Sequence, residues 1–167
     1  LEASDLNTPS IAIGVLTGPR TVTRTVTNPG DRTATYTLSH SGLDGLDVSF
    51  SPSSLTVRRG QTRSFSVTFT RTTAALGAYA GGHITLSSNA SASSRQREQN
   101  DVRVPVVVRP VALNAPAEAS GPYRVTFGYS GPFAAAPQGL VPATVTPGQV
   151  TAGGTVPALE AIRPPIG

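Results

Sequence analysis

Residues 63–71 read RSFSVTFTR, and apolar and polar side chains alternate along the central part of this stretch. Phe65, Val67 and Phe69 fall on one face, and hydroxyl-bearing residues fall on the other. Successive side chains of a β-strand point to opposite sides, so a period of two indicates a strand with one buried face. The stretch therefore predicts a strand that covers a hydrophobic core on one side and meets solvent on the other.

Similar short segments lie on both sides of this strand. They are alternating or brief and apolar, and they occupy residues 10–15, 21–28, 33–39, 45–51, 54–58, 82–88 and 102–109. Turn-forming residues separate several of them, as in Asn28-Pro29-Gly30-Asp31, and no window of convincing length has a helical period. Strands at roughly ten-residue spacing predict an all-β fold. We expect a seven- to eight-stranded antiparallel β-sandwich in which two sheets share one core.

The composition changes near residue 110. Nine of the 15 prolines but only two of the 13 arginines lie from Val111 onward. We predict that residues 1–110 form the sandwich and that residues 111–167 are a linker and the start of a further β module. The alternative is a tail that packs on the sandwich. Within this Pro-rich, partly irregular segment, Tyr123–Tyr129 is the one good strand candidate. Residues 87–100, rich in Ser, Gln and Arg, are predicted to form a mobile surface loop.

The charge pattern argues against nucleic acid and membranes as partners. The net charge is +4 and all 13 basic residues are arginine, but only Arg58 and Arg59 are adjacent, whereas phosphate contacts need clustered charge. No apolar run approaches the roughly 20 residues of a membrane span. The absence of Cys excludes disulfides and thiolate metal sites. The Ala-, Gly-, Pro- and Arg-rich composition is typical of GC-rich coding and predicts a bacterial source, and the start at Leu1 predicts a fragment or processed product.

Few residues could do chemistry. The only histidines, His40 and His83, lie beside Gly-containing turns, and no Gly-x-Ser-x-Gly nucleophile motif is present. Asp31, Asp44 and Asp47 lie near turns and could meet at one end of the sandwich, which would suit calcium. Asp in turns more often bonds its own backbone, however. We therefore predict no catalytic, cofactor-binding or metal-binding residue, no cofactor, and no enzymatic activity for this chain itself.

Five segments resemble a known family. They are DLNTPSIA (residues 5–12), VTRTVTN (22–28), VSFSPSSL (48–55), SFSVTF (64–69) and VRVPVVV (102–108). In this order they are similar to the fibronectin type III-like domain that follows the catalytic domain in subtilisin-like serine proteases, the peptidase S8 family. Thr8 stands where the family usually has Tyr, and Pro29 stands where Val is common.

The resemblance implies an accessory role in a secreted protease. The catalytic domain would precede Leu1 on the same polypeptide and would be the main partner, which the module stabilises while it shapes access to the substrate cleft. Thr21, Thr23 and Thr25 form a polar strip that suits such an interface. The alternative is a binding module that recruits protein substrates or a surface through the loops 41–47 and 87–100 at one sandwich end. Homo-oligomer contacts and a plain spacer also remain open, because architecture alone does not choose between functions.

Overall fold

The computed structural model describes residues 3–88, 101–115, 124–135 and 146–157. Each of the eight predicted segments contains a strand, and no boundary differs from the prediction by more than three residues. The strands are β1 (Ile11–Leu16), β2 (Arg20–Thr27), β3 (Ala34–Gly42), β4 (Leu46–Ser51), β5 (Ser54–Val57), β6 (Thr62–Arg71), β7 (Ala80–Ser88) and β8 (Val102–Pro110). A short 3-10 helix, Ala3–Asp5, precedes them. Within the described ranges, no helix is long and apolar enough to cross a membrane.

Two sheets form the sandwich that the sequence predicted. One has five strands in the order β1-β8-β7-β3-β5, and the other has three in the order β2-β6-β4. All pairs within them are antiparallel except β1 with β8, where Ile11 lies opposite Val106 in a parallel register. A parallel pair requires a long connection between its strands, and here the rest of the sandwich provides it.

The core lies between the two sheets and contains the side chains that the alternation predicted. Phe65, Val67 and Phe69 of β6 are at most 1% exposed, in a cluster with apolar side chains from the other seven strands. Each fully buried aliphatic or aromatic side chain of this kind contributes about 1.5–3 kcal/mol. Val102 has the same phase as the buried Val104, but it begins β8 at the end of the sheet and is 45% exposed.

The turn between β3 and β4 depends on a glycine. Gly45 has a φ of 76°, and its carbonyl accepts the backbone N–H groups of Thr72, Thr73 and Ala74 at 2.9–3.1 Å. A Cβ at this position would collide with the backbone of Ala74, so only glycine fits without rearrangement. The turn is thereby fixed to the segment that follows β6.

Five short strands occupy the described part of the Pro-rich segment. They are β9 (Leu113–Asn114), β10 (Arg124–Phe127), β11 (Gly131–Ala135), β12 (Thr146–Val150) and β13 (Thr155–Pro157). β10 lies inside the predicted strand 123–129. The other four were not predicted, and three of them contain proline at Pro132, Pro147 and Pro157. These prolines are tolerated because β11 and β12 pair only with each other and β13 is an edge of the order β13-β10-β9.

Candidate functional site

The two histidines do not form a catalytic pair. His83 pairs with Ser41 and His40 pairs with Ile84, so the two imidazoles lie on opposite faces of the five-stranded sheet. The ring of His40 lies 6.3 Å from that of Phe50. Nothing in this arrangement brings a base to a nucleophile.

The three aspartates do not converge either, contrary to the expectation that they could meet at one end. Asp31 precedes β3 and Asp44 follows it, so a nine-residue strand separates them, which is about 30 Å at roughly 3.3 Å per residue. Asp47 lies on β4, opposite Thr70. Among the described residues, no group of three or more His, Cys, Asp or Glu side chains could hold a metal ion.

The start of the 87–100 loop lies away from the 41–47 turn, with which this loop was expected to share one sandwich end. Strand β7 runs antiparallel to β3, so its end at Ser88 lies opposite Tyr36, far along β3 from the 41–47 turn. Residues 89–100 of the second loop lie outside the described residues. The segment that lies beside the 41–47 turn is residues 72–79. Asp44 lines a cleft of about 260 Å³ there, together with Tyr79, four alanines and a glycine from residues 74–81.

Sequence reasoning overlooked a buried arginine on β2. Arg24 alternates in phase with Val22 and Val26, and this phase was the signal that it faces inward. It is 3% exposed. Its Nη1 donates to the carbonyls of Ser4 and Thr23, and its Nη2 donates to the carbonyl of Ser10, all at 3.0 Å. Burial lowers the pKa of the Arg24 guanidinium, and the Asp5 carboxylate acts in the opposite direction.

Arg24 is part of a set of contacts that fasten residues 4–10 to β2, which we name the N-terminal strap. Arg20 bridges to Asp5 at 2.9 Å and donates to the Ser4 hydroxyl at 3.0 Å. Asn7 accepts the N–H of Thr25 at 2.9 Å and donates to its carbonyl at 3.4 Å. Two of the segments that resemble the protease family, 5–12 and 22–28, are therefore bonded to each other.

A second polar residue from those segments has a structural role. Asn28 is 6% exposed. Its amide donates to the carbonyls of Arg32 at 2.7 Å and Val57 at 2.9 Å, and its side-chain oxygen accepts the N–H of Gly30 at 3.0 Å. One side chain thus holds the β2–β3 turn and connects it to the end of β5.

The outer side of the three-stranded sheet is an almost uncharged layer of hydroxyl groups. We name it the hydroxyl face, and it comprises Thr21, Thr23, Thr25 and Thr27 of β2, Thr62, Ser64, Ser66, Thr68 and Thr70 of β6, and Asp47, Ser49 and Ser51 of β4. Three cross-strand pairs bond to each other at 2.8–3.0 Å: Thr21 with Thr68, Thr23 with Ser66, and Thr27 with Thr62. The strip of threonines noted in the sequence is one row of this surface.

This chain is similar in sequence to two plant proteins and in structure to a nematode protein. Over an alignment of 104 residues, the chain is 36% identical to subtilisin-like protease SBT2.5 of Arabidopsis thaliana. The alignment covers 62% of this chain and 12% of that protein. Subtilisin-like protease SBT2.6 of the same plant is 45% identical over 83 residues, 50% of this chain and 10% of that protein. SSP-19, an MSP-domain protein of Caenorhabditis elegans, has a TM-score of 0.40 at 16% identity and covers 60% of this chain and 94% of its own.

These matches refine two expectations. The chain spans only about a tenth of the length of the two protease relatives, so the homology concerns one region of those proteins. Both relatives come from a plant, which contradicts the bacterial source that the composition suggested. GC-rich coding produces the same amino-acid bias in any organism, so composition was an indirect guide to source.

The family is established by residues 5–108, which match the model described as the fibronectin type-III domain. This range covers residues 5–10 of the N-terminal strap and all eight sandwich strands up to Val108 of β8. The chain therefore belongs to the fibronectin type-III domain family, in the form whose homologous region occurs in subtilisin-like proteases.

Proposed function

We propose that this chain is a non-catalytic accessory domain of a secreted subtilisin-like serine protease. It stabilises the catalytic domain of the same polypeptide and shapes substrate access. The observation that supports this proposal most is the homology of its sandwich to a region of subtilisin-like proteases. The division into a sandwich at 1–110 and a linker with a further β module at 111–167 is part of the proposal.

The N-terminal strap supports a bracing role. A catalytic domain that precedes the sandwich would connect to it through residues 4–10, which Arg24 and Asn7 fasten to β2. A connection bonded along its length holds two domains in a fixed relation, whereas a flexible linker would let them move independently.

The hydroxyl face supplies a suitable contact surface. Its hydroxyl pairs satisfy one another across β2 and β6, so covering them with another protein leaves few groups without hydrogen bonds. The centres of protein interfaces are depleted of charge, and Asp47 at the margin is the one charged side chain on this face.

A second candidate is a module that recruits protein substrates. Apolar side chains at the 72–79 segment favour it, because Tyr79 is 64% exposed and Leu76 is 38% exposed. The Arg109 guanidinium lies 5.8 Å from the centre of the Tyr79 ring and Nε donates to the Gly77 carbonyl at 3.2 Å. Aromatic and arginine side chains are enriched at protein-binding surfaces.

Kinetics of the protease that contains this chain would separate the two candidates. The chain would be compared with a variant carrying Thr23→Arg, which places a charge in the hydroxyl face, and with Tyr79→Ser. A bracing role predicts that Thr23→Arg shortens the thermal half-life and lowers turnover of both a short peptide and a whole protein. A recruiting role predicts that Tyr79→Ser lowers turnover of the whole protein alone.

Thr56→Arg is the matched control for the first variant. Thr56 bonds to Thr35 at 3.0 Å on the outer side of the other sheet, just as Thr23 bonds to Ser66 at 3.0 Å. Equal effects of Thr23→Arg and Thr56→Arg, or none from either, would count against a contact at the hydroxyl face.

A further inference from the structure

Strand β1 lies at the edge of the five-stranded sheet in the part of the chain that the structure describes. Among the described residues, β1 pairs only with β8, and it ends the five-stranded sheet. A strand with one neighbour directs part of its N–H and C=O groups away from that neighbour, where another strand can bind them. Ala12, Gly14 and Val15 are exposed along this strand.

The other edges of the sandwich carry features that discourage pairing, and β1 lacks them. Strand β4 contains Asp47, β5 has four residues followed by Arg58 and Arg59, and the edge of β2 is occupied by Asn7, which binds both backbone groups of Thr25. Charged side chains, short strands and covered edges are the usual protection against unwanted strand addition. The six residues of β1, IAIGVL, contain no charge and no proline.

A groove runs beside this edge. It encloses about 720 Å³, within the range of about 300–1,000 Å³ that is typical of ligand sites. One wall consists of residues 12–15 of β1, residues 17–19 of the following turn and Arg20 at the start of β2. The opposite wall contains Asn114, Ala152 and Gly153. The walls meet at Gly18, where a Cβ, if one were added, would lie 2.8 Å from the Cα of Gly153.

The lining of the groove is nearly neutral and open. The one charged side chain in the lining, Arg20, is bridged to Asp5 at 2.9 Å, so its charge is compensated. A Cβ added at Gly14 would have no atom within 4 Å, so the outer face of β1 is open at this position. The small side chains of Ala12 and Gly14 allow another backbone to approach this edge closely.

We propose that this groove binds an extended, uncharged peptide segment, which adds to the free edge of β1 as a further strand. The peptide backbone forms the hydrogen bonds that β8 forms on the other side of β1, and alternate small or apolar side chains lie along Ala12, Gly14 and Val15. About five residues fit beside a strand of this length, at roughly 3.3 Å per residue. The proposal goes beyond the accessory role, because it holds whether or not a catalytic domain is attached.

The walls of the groove favour a single peptide over a second copy of this chain. Edge-to-edge pairing of two β1 strands would place a complete five-stranded sheet beside β1. That space is bordered by Asn114 and by the turn at Ala152 and Gly153, which contacts the β1–β2 turn. A single extended chain needs only the width of one strand, about 4.8 Å.

Fluorescence anisotropy with the complete 167-residue chain tests the proposal. The probe is a fluorescein-labelled pentapeptide amide with the sequence Thr-Val-Thr-Val-Thr, and its counterpart has the same side chains with alternate backbone amides methylated. We expect saturable binding of the first peptide and binding at least about tenfold weaker for the second, since methylation removes the donors that strand pairing needs. In NMR spectra of the chain, the backbone amide chemical shifts of residues 12–15 should change when the unmethylated peptide is added.

Gly14→Asp and Gly81→Asp form a matched pair of variants. Gly81 lies on the central strand β7 and, like Gly14, has no atom within 4 Å of a Cβ. Circular dichroism should show both variants folded. Gly14→Asp should weaken peptide binding at least about tenfold, because binding would desolvate its carboxylate, and Gly81→Asp should leave it unchanged.

Several results would overturn the proposal. They are equal binding of the methylated peptide, equal weakening by both variants, and no binding at about 1 mM peptide. A free chain that sediments as a dimer and becomes monomeric with Gly14→Asp would also refute it, since the edge would then pair with a second copy.

Discussion

Arg24→Met should destabilise the sandwich although it removes a buried charge. Methionine keeps most of the length of the arginine stem but has no donor. The carbonyl of Ser4, a residue that is 5% exposed, then loses its bond to Nη1, and the carbonyl of Ser10 keeps only the bond from the Thr8 hydroxyl at 2.9 Å. Leaving a buried acceptor without a partner costs about 1–3 kcal/mol.

An opposing effect limits the loss. Burial disfavours the charged guanidinium, as its lowered pKa indicates, and its Nε has no hydrogen-bond partner among the described residues. Removing a buried cation relieves this cost, and some buried charges can be replaced by apolar side chains without loss of stability. With the unpaired Ser4 carbonyl on one side and the relieved desolvation on the other, we expect a net loss of about 1–2 kcal/mol. For a domain of roughly 100 residues this lowers Tm by about 5–15 °C.

Thermal unfolding followed by circular dichroism measures this change, and amide hydrogen exchange of residues 4–10 shows whether the N-terminal strap has loosened. The control is Arg63→Met on β6, because Arg63 is exposed and its one side-chain bond is to the neighbouring Thr62 carbonyl at 3.3 Å. The control should change stability by less than about 0.5 kcal/mol. If Arg24→Met unfolds at the wild-type temperature with unchanged exchange, the strap does not stabilise the sandwich and the reasoning is wrong.

Three further substitutions test how the surface and the turns contribute. Asn28→Ala should lower the free energy of unfolding by about 2–4 kcal/mol, because three hydrogen bonds of a buried side chain are lost together. Denaturant unfolding measures this loss, and a loss below about 1 kcal/mol would contradict the role assigned to Asn28. Asp5→Asn should lower the free energy of unfolding by less than about 1 kcal/mol, because its bridge to Arg20 is partly exposed. The difference from the wild type should shrink at high salt, and a loss that does not depend on salt would argue against an ionic contact. Replacing Thr21 and Thr68 together by Val should leave Tm within a few degrees of the wild-type value, since both partners of one exposed hydrogen bond are removed. A large drop in Tm would instead show that the hydroxyl face stabilises the fold itself.

The strands were predictable because local alternation and burial agree throughout the sandwich. The pairing of strands distant in sequence was not. Asp31 and Asp44 both lie near turns and could have met at one end, but the length of β3 separates them. Antiparallel pairing of β3 with β7 likewise places Ser88, at the start of the 87–100 loop, opposite Tyr36 and away from the 41–47 turn. The prolines of β11 to β13 concealed strands because their tolerance depends on being at an edge, which is a property of the sheet and not of the sequence window.

The strand β2 shows why the resemblance to proteases identified the family more readily than the function. Its inward residues, Val22 and Arg24, fill the core and hold the N-terminal strap, so any sequence with this fold and this connection benefits from them. Its outward residues, Thr23 and Thr25, contribute little to the core and are available to a partner. One motif thus contains two kinds of information in alternate positions. Arg24→Met should therefore lower the stability of the sandwich itself, whereas Thr23→Arg should weaken contact with a catalytic domain. Because Nη1 of Arg24 donates to the carbonyl of the adjacent Thr23, the stability change of the double variant should depart from the sum of the two single changes.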